Sequence, residues 1–289
     1  MSSQPAPSTL KAALWMGGWL AAMVAMAVAG RKAAVRLDAF QVMELRAIIA
    51  FILLQPLVFM AGGWRAMWSS QMLRHVLRNT IHYSGQYMWL VALTLIPLSQ
   101  VVSIEFTMPI WTALLAVAFL GEKMNRWKSA AILLGLIGVW IIIRPSAGNV
   151  SWGQIISLYA AFAFAVSVVV TRALTRTDTT VQIVFWMLVI QGIIGLIPAI
   201  GVWQPVPGDL WGWLILIGIC GGFSHFCLAN AVRYADATIV VPMDFLRVPL
   251  TAFAAWYFYS EVIDIYTAIG AVLIMAANLL NLRRPPRPA

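Results

Sequence analysis

Five ionisable residues stand inside long apolar runs of this chain: Glu44, Arg46, Glu105, Asp244 and Arg247. An ionised side chain at the centre of a bilayer costs about 2.5–3.5 kcal/mol on insertion scales, so a residue kept there faces a cavity or a partner. Glu105 and Asp244 are the informative pair. Each is followed by a phenylalanine and then by a helix-interrupting proline, Pro109 or Pro249. Proline-interrupted spans at matching places in two halves of a chain point to a solute site between the halves. The chemistry such groups offer is ion pairing, hydrogen bonding and proton carriage. A structural role stays open beside it: Asp244 and Arg247 are three residues apart and can pair, and Arg46 can neutralise Glu105. Glu44 reads as a solvated residue near the outer interface, and Arg46 as a structural cation of a helix bundle.

A second constellation is His82-Tyr83-x2-Gln86-Tyr87-x-Trp89. His82, Gln86 and Trp89 recur at helical spacing and share one face, and His225 falls opposite Gln86 in the second half of the chain. Hydrogen-bonding tips beside flat rings suit a small amphipathic solute carrying an amine, a carboxylate or a ring. Trp64, Trp68, Trp152, Trp203, Trp211 and Trp213 fit an interfacial aromatic belt. Trp111, Tyr159 and Trp186 lie deeper, with helix packing and cavity lining both open to them. The candidate substrate-binding set is therefore His82, Tyr83, Gln86, Tyr87, Trp89, Glu105, Trp111, Tyr159, Trp186, His225, Asp244 and Arg247.

Ten apolar stretches must position these residues: roughly 12–30, 40–60, 79–96, 98–119, 128–144, 152–171, 180–200, 210–230, 237–259 and 263–282. About 20 residues rising about 1.5 Å each cross a hydrocarbon core of about 30 Å. A composition of 62% hydrophobic and 10% charged residues excludes a soluble domain, which carries about 25% charged. Ala92 to Phe106 align without a gap on Ala231 to Phe245 at a constant offset of 139, bringing Val101, Val102, Glu105 and Phe106 onto Val240, Val241, Asp244 and Phe245. After a one-residue slip the register runs on through Pro109/Pro249 and Glu122/Glu261 to Pro145 and Pro285. Five spans per copy is an odd number, so the second copy enters the membrane inverted. The expected fold is an all-α integral membrane protein of ten transmembrane helices in two inverted five-helix repeats, 10–146 and 150–283. A short linker, 145–149, joins them, and polar tails flank them at 1–9 and 284–289.

The net charge of +9 reports orientation, not a nucleic-acid partner. Thirteen Lys and Arg residues fall on the side that holds both termini, and only Arg31, Lys32, Arg36 and Arg144 on the other, which by the positive-inside rule places the termini in the cytoplasm of a bacterial inner-membrane protein. The basic trio of the first outer loop, Lys32-x3-Arg36-x-Asp38, mirrors Arg172-x3-Arg176-x-Asp178. That match also argues that the first span is retained, although Ala27-Val28-Ala29 resembles a signal-peptide cleavage site. Residues 62–78, with Trp64 and Trp68, read as an amphipathic stretch lying on the membrane surface.

No phosphate-binding Gly-x4-Gly-Lys-Ser/Thr loop, no His/Cys cluster at metal-ligand spacing and no Gly-x-Ser-x-Gly elbow is present. Neither cofactor nor metal is expected, and catalysis has little support in the sequence. Cys220 and Cys227 lie seven residues apart on one helix, about 10 Å at helical rise, beyond the about 7 Å a disulfide tolerates. Gly218-x3-Gly222 offers a weak dimerisation signal, and nothing else demands a second copy.

The set Pro109, Leu120-Gly121-Glu122, Gly135 and Gly138, with Arg46 in an Arg-x3-Ala setting, recurs as Pro249, Ser260-Glu261 and Gly270. In this it resembles the drug/metabolite transporter superfamily, specifically its EamA-type exporters, and among them is most similar to the YddG-type exporters of aromatic and other amino acids. Ser260 departs from the Gly121 pattern, and Ala277 stands where a glycine is expected. The resemblance implies ten spans, both termini inside, a central cavity, and Glu122 and Glu261 as helix-ending structural residues. The expected function is export of aromatic or hydrophobic amino acids by alternating access, with spans 3, 4, 8 and 9 lining the cavity. The alternatives are export of drugs or nucleoside-like metabolites, a membrane-embedded enzyme, or an ion channel, for which no continuous polar stripe is visible. Glu105, Asp244 and His82 are the groups able to carry a proton.

Overall fold

Helices begin where a polar cap meets an apolar run. Asp38 accepts from Phe40 N (2.8 Å) to start the second helix, while Ser151 with Gln154, and Thr179 with Gln182, form reciprocal capping boxes. In this computed structural model, which describes residues 8–120, 124, 126–144, 150–235, 240 and 243–281, every regular element among the described residues is helical. These are α1 (Thr9–Ala34), α2 (Ala39–Met60), α3 (Met72–Leu95), α4 (Leu98–Glu105), α5 (Met108–Leu120), α6 (Arg126–Ile143), α7 (Trp152–Leu174), α8 (Thr180–Gly201), α9 (Trp211–Tyr234), α10 (Arg247–Tyr259) and α11 (Ile265–Asn281), with 3₁₀ turns at Trp64–Met67 and Gly208–Leu210. Gly121, Glu122, the linker 145–149, residues 237–239 and 241–242 of the ninth expected span, and the tails at 1–7 and 282–289 lie outside the described residues.

Seven stretches among the described residues are long and apolar enough to cross a membrane. The three expected spans that miss this test have identifiable reasons. Helix α3 carries Arg74, His75, Arg78 and the polar face described below. Helices α10 and α11 cover 13 and 17 residues, and the expected spans 237–259 and 263–282 that they belong to include residues outside the described ones. The surface-lying segment expected at 62–78 is not there: only the Trp64–Met67 turn is separate, and Met72 already belongs to α3. Arg78 is buried, donating to Ser167 Oγ (3.1 Å) and Asn79 Oδ1 (3.0 Å). The fourth span is broken at Phe106–Thr107, just ahead of Pro109. Pro109 thus sits in the first turn of α5, where its missing N–H leaves no bond unmade. The carbonyl freed at the break, Phe106 O, accepts from Asn278 Nδ2 (2.8 Å) on α11, as non-helical backbone in a bilayer requires.

The two copies meet through a pseudo-two-fold. Helix α1 packs along α9 and α3 along α7, while α2 packs on α8 and α6 on α11. Exchanging the copies turns the first pair into the second and leaves the others unchanged. The self-matched pairs run antiparallel: the start of α2 meets the residues after α8 through Gln41 and Gln204 (2.6 and 3.0 Å), and Phe51 further on meets Phe185. Corresponding helices running in opposite directions is the geometry that inverted copies produce. On the axis the equivalent residues Phe106 and Phe245 touch edge to face at 5.7 Å.

Glycines set the closest approaches. A Cβ on Gly138 would stand 2.8 Å from the Gly270 carbonyl, and one on Gly270 2.6 Å from the Gly138 carbonyl, so α6 and α11 cross backbone to backbone. Gly218 is consumed by packing within the bundle, since a Cβ there would meet Ile49 Cγ2 at 2.5 Å. Cys220 and Cys227 are free and buried.

Polar ties close both ends of the bundle. At the C-terminal end of α1, Arg31 pairs with Glu261, whose other oxygen accepts from Leu98 N at 2.9 Å, and Arg144 pairs with Asp264 at 2.7 Å. At the opposite end Asp178 Oδ2 accepts from Ser69 Oγ (2.5 Å) and lies 2.6 Å from His75 Nε2. Burial by itself would raise the Asp178 carboxyl, but hydrogen bonds from Ser69, His75 and Thr177 outweigh it and hold the group below the ordinary carboxylate value. A depressed folded-state pKa supplies stability that is present above the unfolded value and lost as pH falls through the folded one. Asp178→Asn should therefore lower the melting temperature at neutral pH and flatten its decline on the acid side of the ordinary aspartate pKa. A pH series of thermal unfolding in detergent reads both, and an unchanged acid limb would refute the assignment.

Candidate functional site

The broken spans place two short carboxylates at the pseudo-two-fold, and one arginine joins them. Arg247, on the first turn of α10, donates Nη1 to Glu105 Oε1 at 2.7 Å and lies 3.5 Å from both oxygens of Asp244. Its guanidinium carbon sits 4.6 Å from the centre of the Phe106 ring. Each carboxylate takes one further donor, an indole from a different helix: Trp89 Nε1 to Glu105 Oε2 at 2.8 Å, and Trp19 Nε1 to Asp244 Oδ1 at 2.7 Å. Arg247 and Glu105 are buried, while Asp244, Trp19 and Trp89 keep accessible surface. With all three groups ionised, the cluster has one carboxylate more than it has cations.

One turn along α3 from Trp89, Gln86 Oε1 accepts from Arg46 Nη2 at 2.7 Å. Residues three apart on a helix are surface neighbours, so α3 links the carboxylate cluster to this second cation. Arg46 makes no ion pair among the described residues and keeps part of its surface accessible, in the first half of α2. It does not neutralise Glu105; Arg247 does. Tyr87 stacks on Phe40 at 4.2 Å with an interplanar angle of 20°. His82 Nδ1 lies 3.0 Å from Gln191 Nε2 on α8, and its ring faces Phe164 at 5.3 Å. The shared face read from His82, Gln86 and Trp89 is thus real, and it meets polar partners on α8, α2 and α4 in turn.

Other candidates fall elsewhere. Trp111 donates to Thr107 Oγ1 (3.2 Å) and packs on Phe162, and the Tyr159 hydroxyl lies 2.8 Å from Ser84 Oγ, which puts both on the seams of α7 with α5 and α3. Trp186 stands apart, tying α8 to the Trp64–Met67 turn by donating to Met67 O at 2.7 Å. His225 is carried by α9, and its side chain lies outside what the structure describes. Glu44, expected to be solvated, is 5% exposed and faces α8. The residues sequence reasoning missed are Trp19, Gln191 and Asn278. Gln191 had a signal, being an amide in the middle of an apolar span; the other two had none.

Comparison with known proteins agrees with this architecture. The profile of the EamA-like transporter family matches residues 10–144 and again 151–283. The chain is 27% identical over 244 residues to an S-adenosylmethionine uptake transporter of Rickettsia felis, covering 84% of this chain and 83% of that protein. It is 30% identical over 233 residues to a riboflavin transporter of Rhizobium johnstonii, covering 78% and 77%. To a pseudopaline exporter of Pseudomonas aeruginosa it is 28% identical over 250 residues, covering 86% and 87%. A solved crystal structure superposes with a TM-score of 0.67 at 17% identity, over 95% of this chain and 98% of that one, a likeness of fold.

Proposed function

Because the chain belongs to the EamA-like transporter family, we propose that it is a secondary transporter that moves zwitterionic aminocarboxylates, aromatic or hydrophobic amino acids first among them, across the bacterial inner membrane by alternating access. Ten crossings with both termini in the cytoplasm complete the reading, supported by the charge asymmetry. Export is the working direction, and relatives named for uptake and for export leave it to the gradients.

The observation that carries the substrate class is the distribution of charge along α3. Next to Gln86 stands Arg46, a cation without an ion pair among the described residues, suited to a carboxylate. One turn away, the Glu105–Asp244–Arg247 cluster has a carboxylate in excess, suited to an ammonium. The Phe40–Tyr87 stack and Trp89 offer flat apolar surface for the side chain. Proteoliposomes loaded with labelled phenylalanine should exchange it faster than empty liposomes do, with leucine and methionine competing. Equal rates across a broad solute panel would remove the idea.

A second reading is transport of nucleoside-like or flat heterocyclic metabolites through the same compartment, favoured by relatives named for S-adenosylmethionine and riboflavin. Competition decides between them: if riboflavin or S-adenosylmethionine displaces labelled phenylalanine at lower concentration than leucine does, the heterocycle is the recognised element.

A further inference from the structure

Glu44 lies buried between α2 and α8, and among the described residues its Oε2 has no hydrogen-bond partner. The hydroxyl of Tyr83, buried on α3, lacks one too. Both oxygens border a gap held open by Gly195: a Cβ there would stand 2.8 Å from Glu44 Oε2 and 2.6 Å from the Tyr83 hydroxyl. Glu44 also lines an open groove of about 260 Å³ between α2 and α8, whose remaining lining, including Ile48, Phe51, Leu188 and Ile193, is apolar.

We propose that Glu44 is a proton-binding site whose occupancy is coupled to binding of an anionic group at Arg46. This rests on the substrate reading above. An ionised carboxylate without a partner in an apolar wall is strongly unfavourable, whereas the neutral acid avoids that penalty, and the equally unpartnered Tyr83 hydroxyl borders the same gap. A metal ion is a poor alternative occupant, because the described residues hold no cluster of three or more potential metal ligands. Glu44 and Arg46 are two residues apart, so their side chains leave α2 in different directions, Glu44 toward α8 and Arg46 toward Gln86. No ion pair forms between them, and the proposed coupling acts through the charge each contributes to the same stretch of α2. Neutralising Glu44 leaves the Arg46 charge uncompensated and strengthens its hold on a carboxylate. By linkage, a bound carboxylate then strengthens the hold on the proton.

The charged and titratable groups facing Glu44 are few. Helix α3 brings Tyr83 to the shared gap, and the other charged or titratable groups that act on Tyr83 are Arg46 and Asp38 from the α2 side and Tyr87 from α3. Helix α8 has none along its length. Helix α9 touches α2 through Gly218 at Ile49, with Cys220 its nearest titratable residue in sequence. Helix α1 meets α2 at their joining turn, where Arg31 is paired with Glu261 and Arg36 with Asp209.

Infrared difference spectra of the empty protein in lipid bilayers, taken between alkaline and acidic pH, should contain a protonated-carboxyl band that Glu44→Gln removes. A band unchanged in Glu44→Gln overturns the proposal whatever the substrate is. Titration with phenylalanine in weakly buffered solution should show net proton uptake on binding, and an affinity that falls about tenfold as pH rises through the Glu44 titration. Both effects should vanish in Glu44→Gln while binding persists. Phenylalanine binding without proton uptake overturns the coupling and leaves the substrate reading standing. Absence of phenylalanine binding in the wild type overturns the substrate reading and the coupling together. Should Glu44→Gln fail to fold, Gly195→Ala serves instead, because its Cβ presses on both oxygens. A shifted titration midpoint of the band supports the site, and an unshifted one refutes it.

Discussion

Arg247→Gln should lower the free energy of unfolding by about 3–5 kcal/mol, the usual effect of removing one partner from a buried ion pair. The reason is positional. Arg247 is the only cation in contact with Glu105 or Asp244 among the described residues, so its loss leaves two carboxylates facing each other at the pseudo-two-fold, each with one indole donor. Glu105→Gln should be much milder. The glutamine oxygen can still accept from Trp89, and Arg247 keeps Asp244. The double variant Glu105→Gln/Arg247→Gln should recover part of the loss, because a single carboxylate then remains; a coupling energy of about 0.5–3 kcal/mol is typical for residues in contact. Equilibrium unfolding of the three variants in one detergent supplies the ranking. If Arg247→Gln is no worse than Glu105→Gln, the arginine is not the keystone of the cluster.

Transport should follow the same ranking. The guanidinium lies over the Phe106 ring, at the residue where the fourth span breaks and where the two copies touch. Under the proposed alternating access, a cluster that holds both broken spans together sits where the copies would pivot.

Much of this arrangement was legible in the sequence, and the failures share a cause. The duplication at an offset of 139 predicted the matched copies, and the matched helices do run antiparallel. Glu105 and Asp244 could be singled out because repeat position, neighbouring phenylalanine and following proline agreed on them. Arg46 could not, because its partner Gln86 lies 40 residues away on another helix and is neutral. A lone intramembrane cation reads as structural in a sequence, which does not show that no carboxylate among the described residues pairs with it. The segment 62–78 read as interfacial because it carries Trp64 and Trp68, yet at its far end Arg78 is buried with a bond to Ser167, 89 residues away. Glu44 read as solvated because it stands near a span end. Only the packing of α8, with Gly195 opposite, turns that place into an interior one. Trp186 illustrates the limit for aromatic residues: its indole donates to a backbone carbonyl, Met67 O, and backbone partners leave no trace in a list of side chains.

Arg46 carries the other large expected effect. If its guanidinium receives the substrate carboxylate, Arg46→Gln removes a hydrogen bond to a charged group, worth about 1.5–3 kcal/mol, or about 10–100-fold in affinity. Phenylalanine binding should weaken by that factor. Phenethylamine, which keeps the ring and the ammonium but has no carboxylate, should bind wild type and variant alike, because its ammonium addresses the Glu105–Asp244 cluster one turn away on α3. Arg46→Lys should fall between, since a lysine keeps the charge and loses the planar fork that grips a carboxylate at two points. The paired ligands separate recognition from packing: a damaged bundle would weaken both, whereas a lost carboxylate site weakens one. Parallel losses for phenylalanine and phenethylamine would return Arg46 to the purely structural role that the sequence alone suggested for it.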